Sequence, residues 1–110
     1  MNAYEVIWEH LSQAELLAQL AEEATELAHA ALKLRRVYDG NNPTPVAQSE
    51  ALANIKEEIA DVKLLIAVLG FDQNRMETSM IQGEKLARWI NRLKESERNG
   101  HKGINHKDEP

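Results

Sequence analysis

Apolar residues recur along this chain three and four positions apart, the spacing of helices that bury one face. The stretch NAYEVIWEHL sets Val6, Ile7 and Leu11 on one side of a short first helix. Ser12 and Glu15 form a capping-box pair, which predicts a second helix from about Gln13. Its apolar set is Leu16, Leu17, Leu20, Leu27, Ala31 and Leu34. Lys33, Arg35 and Arg36 suit the negative end of that helix, and Gly40 stops it. GNNPTP at 40–45 is a break, because proline opposes helix and Asn and Gly favour turns. Thr44 followed by Pro45 predicts the cap and first position of a third helix, which runs to Leu69 with Gly70 as its stop. Asp72 is the expected N-cap of a fourth helix over 73–97, carrying Met76, Met80, Leu86, Trp89, Ile90 and Leu93. Gly83 weakens it by up to ~1 kcal/mol relative to Ala. Residues 98–110 are polar and without apolar period, and are expected to be a disordered tail. The pattern predicts one all-α domain over residues 1–97.

Composition narrows the function. The chain has 110 residues, enough for one modest core. Hydrophobic residues make up 43% but aromatics only 5%, so Leu, Ile, Val and Ala must fill that core, which favours helix packing. A net charge of −5 argues against binding a phosphate backbone, so no nucleic-acid partner is expected. Metal cations could still bridge such a protein to a small phosphorylated ligand. There is no cysteine, which excludes disulfides, thiolate metal sites and a Cys nucleophile. No run approaches the ~18 apolar residues of a membrane span, and the N-terminus carries no secretion signal. A cytoplasmic protein without a membrane partner is the expectation.

Two acidic clusters stand out, EEATE at 22–26 and EEIAD at 57–61. On a wheel of about 100° per residue, Ile55, Ile59, Val62, Leu65, Ile66 and Leu69 define the apolar face of the third helix. Glu58 falls near its middle and Asp61 at its edge, while Glu57 lies to the side. On the second helix Glu23 sits at the margin of the apolar face, Glu26 one step further out and Glu22 on the far side. Each helix therefore leans an i, i+3 carboxylate pair toward the core. Runs of acidic residues on helices are usually solvated faces. Two pairs that lean inward are different, because half-buried carboxylates repel and need a counter-charge. Lys or Arg partners, protonation or a hard divalent cation could supply it. Four convergent carboxylates suit Mg²⁺, which takes oxygen ligands and retains waters.

At these residues the chain resembles a family. QLAEEATELAHAALKL followed by EEIADVKLLIAVL resembles the MazG-like branch of the all-α nucleoside triphosphate pyrophosphohydrolases over residues 13–95. The signature of that family is ExxE on one helix and ExxD on the next, matched here by Glu23, Glu26, Glu58 and Asp61. The resemblance implies a four-helix MazG-like module that assembles as a homo-oligomeric helical bundle, a homodimer or homotetramer. It implies that the four acids bind Mg²⁺, with Mn²⁺ able to substitute. The implied activity is hydrolysis of a nucleoside triphosphate to a monophosphate and pyrophosphate. Glu22 is a candidate to orient a water, although its wheel position points away. Lys85 and Arg88 in EKLARW match a basic pair that similar proteins carry after ExxD, and they are the expected phosphate-binding residues. Arg92 continues their face, and Lys33, Arg35 and Arg36 are weaker candidates.

Other residues carry plainer expectations. Trp8 could border a base pocket but reads first as core or interface. Trp89 reads as core, and Met76 and Met80 as gap-fillers. His10 and His29 are isolated on helices and read as structural or exposed. A ferritin-like metal bundle would pair Glu with His at i+3, and neither Glu23 nor Glu58 has that partner. The alternative to an enzyme is a non-catalytic, helical, oligomeric protein that binds nucleotides or other partners.

Overall fold

A computed structural model describes residues 1–40 and 46–100. Among them are four helices and no strand: α1 (Ala3–His10), α2 (Gln13–Asp39), α3 (Gln48–Leu69) and α4 (Arg75–Arg98). None of these helices is long and apolar enough to cross a membrane. The expected Thr44–Pro45 helix start and most of the expected tail, residues 101–110, lie outside the described residues.

Local chemistry explains most of the boundaries. Asn2 caps α1 by accepting the Glu5 backbone N–H at 2.9 Å. The capping box of α2 is complete, with the Ser12 hydroxyl accepting from Glu15 N–H and the Glu15 carboxylate accepting from Ser12 N–H. Helices α2 and α3 stop at left-handed glycines, Gly40 at φ 67° and Gly70 at φ 74°, which a side chain would strain. At Gly70 the N–H groups of Gly70 and Phe71 donate back to the carbonyls of Ala67 and Ile66, a Schellman ending. The fourth helix begins later than expected. Asn74, not Asp72, is its cap, and its side chain accepts the Glu77 N–H at 3.3 Å.

The chain falls into two units, residues 1–73 and the residues from Asn74 on. In the first, α2 and α3 pack along their lengths. Leu16 meets Leu65 and Val68, Glu23 meets Glu58 and Asp61, and Ala30 and Lys33 share a cleft with Ala51 and Asn54. Positions that advance on one helix retreat on the other, so the pair is antiparallel. Every residue of α2 that is not exposed belongs to one series: Leu16, Leu20, Glu23, Leu27, Ala30, Leu34 and Val37. These steps alternate four and three, the seam of a coiled coil. The matching series on α3 is Ala51, Ile55, Glu58, Val62, Leu65 and Leu69, flanked by Val68 at its C-terminal end. Three expected apolar-face positions of these helices are exposed. Leu17 is 44% exposed and Ile59 39%, because a wheel of fixed angle drifts from the 3.5-residue repeat of a paired helix. Ala31 is exposed for the same reason, while its neighbour Ala30 is buried.

The short α1 closes the leucine end of the pair. Ile7 and Leu11 pack on the Leu16–Leu65–Val68 cluster. The Trp8 indole N–H donates to the Val68 carbonyl at 2.9 Å, one of the four α3 carbonyls that have no partner within the helix. Trp8 is otherwise half exposed and leans on Tyr4.

The second unit is α4 itself, and none of its side chains is buried. The expected core positions are surface: Trp89 is 49% exposed, Met76 74% and Met80 64%. Leu86, Ile90 and Leu93 are exposed as well. The periodicity of α4 is real, but the described chain does not bury it.

Because the fold of the first unit rests on few fully buried side chains, Leu65→Ala is expected to cost about 2–5 kcal/mol. Urea unfolding followed by circular dichroism measures it, and a loss under ~1 kcal/mol would show that the leucine cluster is not the anchor.

Candidate metal centre

Midway along the seam the leucines give way to carboxylates. Glu23 and Glu58 occupy seam positions, and Asp61 follows Glu58 by three residues on the same side of α3. One carboxylate oxygen from each lies within 4.8 Å of the others. Leu20 and Leu27 flank Glu23, and Ile55 and Val62 flank Glu58, so the helices are pinned together on either side of the acids.

The electrostatics follow from that placement. Glu23 holds its proton to higher pH than an ordinary Glu, first through desolvation and then through the charges of Asp61, Glu58, Glu22 and Glu26. Glu58 is raised likewise by desolvation, then by Asp61, Glu26 and Glu57. Glu58 Oε2 is also buried without a hydrogen-bond partner, and among the described residues it is the one such side-chain atom. A buried oxygen that accepts nothing is costly. Among the described residues no Lys or Arg forms an ion pair with it. The ion pair between described side chains is remote, Arg35 with Asp39 at 3.4 Å along α2.

The donor set fits a hard divalent cation. Mg²⁺ takes oxygens at about 2.0–2.1 Å, so ligands on opposite sides of one ion are about 4.2 Å apart. The oxygens of this cluster, within 4.8 Å of one another, lie close to that span. Three carboxylates on two helices also leave positions for water or substrate.

Of the other expected site residues, Glu26 is outside the three-residue group. It is exposed one turn beyond Glu23, and it lines a cleft with Glu58. Glu22 is exposed beside Glu23 and contributes only its charge. Lys85 and Arg88 lie in the second unit, where with Asn91, Arg92 and Glu95 they border a shallow depression on α4. The cleft at Glu26 and Glu58 is about 110 Å³ and is completed by His29, Ala30, Lys33, Ala51 and Asn54. His29 and Asn54 carried no sequence signal as site residues, since a lone His or Asn on a helix is ordinary. Lys33 was legible as a helix-terminal charge and a weaker phosphate-binding candidate, but not as part of a cleft with His29 and Asn54.

Compared with protein-family models, with curated proteins and with solved structures, the chain matches none.

The raised carboxyls make a pH prediction. The folded state binds more protons than the unfolded chain between the ordinary Glu range and the raised values. Their contribution therefore favours folding at low pH and is lost as pH rises through the folded values. Glu58→Gln should raise the melting temperature of the metal-free protein at neutral pH, and the gain should shrink as pH falls toward the ordinary Glu range. Paired melts of both proteins across that range test this. A gain independent of pH, or a loss at neutral pH, would mean that charge repulsion is not the cost Glu58 carries.

Proposed function

We propose that this protein is a Mg²⁺-dependent hydrolase of nucleoside triphosphates that releases a monophosphate and pyrophosphate, in the manner of the MazG-like family it resembles. The observation that carries the reading is the buried, partnerless Glu58 oxygen inside a three-carboxylate cluster at the seam. Bound Mg²⁺ would neutralise phosphate charge and bring a water to the scissile phosphorus. Glu23, Glu58 and Asp61 hold the ion. Glu26 lines the cleft beside Glu58 without belonging to that trio, which suits a fourth ligand that also steers the attacking water and receives its proton. Water oxygen bonds to the α-phosphorus, the bond to the α–β bridging oxygen breaks, and that oxygen leaves with pyrophosphate. Glu22 stays in water and tunes Glu23 by charge alone.

We further propose that the working form is a homo-oligomer. The apolar faces left open on the first unit at Leu17, Leu32, Ile59 and Leu64, and on α4, support it. Lys85 and Arg88 remain candidates to hold phosphate within such an assembly.

The test is a panel of nucleoside triphosphates, including dUTP, dCTP and oxidised purines, incubated with Mg²⁺ and then with EDTA. Monophosphate with pyrophosphate, lost on chelation, is the expected product pair. Diphosphate with single phosphate would reject the cleavage position. No turnover with any nucleotide would favour a non-catalytic nucleotide-binding or interaction protein. Asp61→Ala and Glu58→Ala should each lower kcat by a factor on the order of 10² or more, with helical content intact or melting temperature raised. Unfolding of both variants would instead make these acids structural.

A further inference from the structure

The cleft beside the carboxylates has two ends of opposite character. At one end are Glu26 and Glu58. One and two turns further along α2 come His29 and Lys33, and one turn back along α3 comes Asn54. The floor is Ala30 and Ala51, 7% and 2% exposed. The hollow exists because both seam positions there are alanine, whereas leucine or isoleucine fills most of the others. Among the described residues, His29, Lys33 and Asn54 make no side-chain hydrogen bond or ion pair. Lys33 stays unpaired although two carboxylates line the same cleft.

Resting on the function proposed above, we infer that Lys33, His29 and Asn54 seat the part of the substrate that leaves as pyrophosphate. The donor end suits anionic oxygens and the carboxylate end suits a cation, so neither a bare anion nor a bare cation satisfies the whole cleft. It accepts a ligand that is anionic at one end and metal-chelated at the other, which describes a polyphosphate carrying a divalent ion. Lys33 supplies the full charge, His29 a ring N–H and Asn54 two amide N–H donors. All three stand on the same two helices as the metal ligands, so the seam that sets the acids also sets these donors. The assignment is independent of Lys85 and Arg88.

The test separates metal from phosphate. Mn²⁺ binding is measured first by electron paramagnetic resonance, without phosphate. Inorganic pyrophosphate is then titrated by calorimetry at saturating Mg²⁺, using wild type, Lys33→Gln, Lys33→Arg, His29→Ala and the control Lys56→Gln on the exposed side of α3. Lys33→Gln is expected to weaken pyrophosphate binding about tenfold or more, the loss of one charge-assisted contact. Its Mn²⁺ affinity should be unchanged, with Lys33→Arg recovering most of the loss and His29→Ala showing a smaller one. Equal pyrophosphate affinity in wild type and Lys33→Gln, or an equal loss in Lys56→Gln, would overturn the inference. Wild-type protein that binds Mn²⁺ but not pyrophosphate would overturn it too, leaving the metal centre standing. Wild-type protein that binds no Mn²⁺ would remove the metal centre and this inference together.

Discussion

Two glutamates sit where a two-helix seam calls for leucine, and the rest of the first unit is arranged around that fact. Glu23 and Glu58 are inward positions of α2 and α3 by the same four-three spacing that places Leu16, Leu27 and Leu65. A polar residue at such a position costs stability and commonly fixes register. Here the register it fixes is the one that brings Asp61 within reach of both. A slip of one helical turn would part the three carboxylates. The hydrophobic contacts on either side must therefore be strong enough to hold a repulsive centre in place.

The seam is not uniform, and its two ends do different things. At the α1 end, Leu16, Leu65 and Val68 form a buried apolar cluster, covered by Ile7 and Leu11 and tied by the Trp8–Val68 hydrogen bond. At the other end Ala30 and Ala51 let the helices meet over small side chains and leave a polar hollow. One end supplies cohesion and the other supplies space. The carboxylates lie between them, so the site is held on rigid helices rather than on the connecting loop, as precise positioning requires.

Local signals in the sequence translated directly into structure. The Ser12–Glu15 capping box and the stops at Gly40 and Gly70 each depend on a few adjacent residues, and each stands as expected. The inward lean of Glu23 and Glu58 was legible too, Glu58 from the middle of its apolar face and Glu23 from the margin of its own. The wheel failed where pairing matters. Leu17 and Ile59 belong to an ideal single helix but not to a 3.5-residue seam, and Ala30 and Ala51 carry too little hydrophobicity to mark themselves as buried. Trp89, Met76 and Met80 show a further limit, since amphipathic spacing marks a face that prefers cover without saying whether this chain provides it. The cleft of His29, Lys33 and Asn54 was invisible for a related reason. It arises from two alanines on different helices, and no single stretch of sequence contains it.

The counter-charge question raised by the acidic clusters can be narrowed. Among the described residues no Lys or Arg forms an ion pair with Glu23, Glu58 or Asp61, which removes the commonest solution. Protonation is the solution left to the metal-free protein, and the raised Glu23 and Glu58 carboxyls express it. That solution is partial, because a shared proton cannot satisfy three carboxylates at neutral pH. A divalent cation would compete with protons for these carboxylates and give Glu58 Oε2 the partner it lacks, so metal affinity would depend on pH. The same repulsion that burdens the metal-free seam would become attraction toward such an ion. The leucine end of the helix pair would then be what makes such a site possible, by keeping three carboxylates together in the metal-free protein.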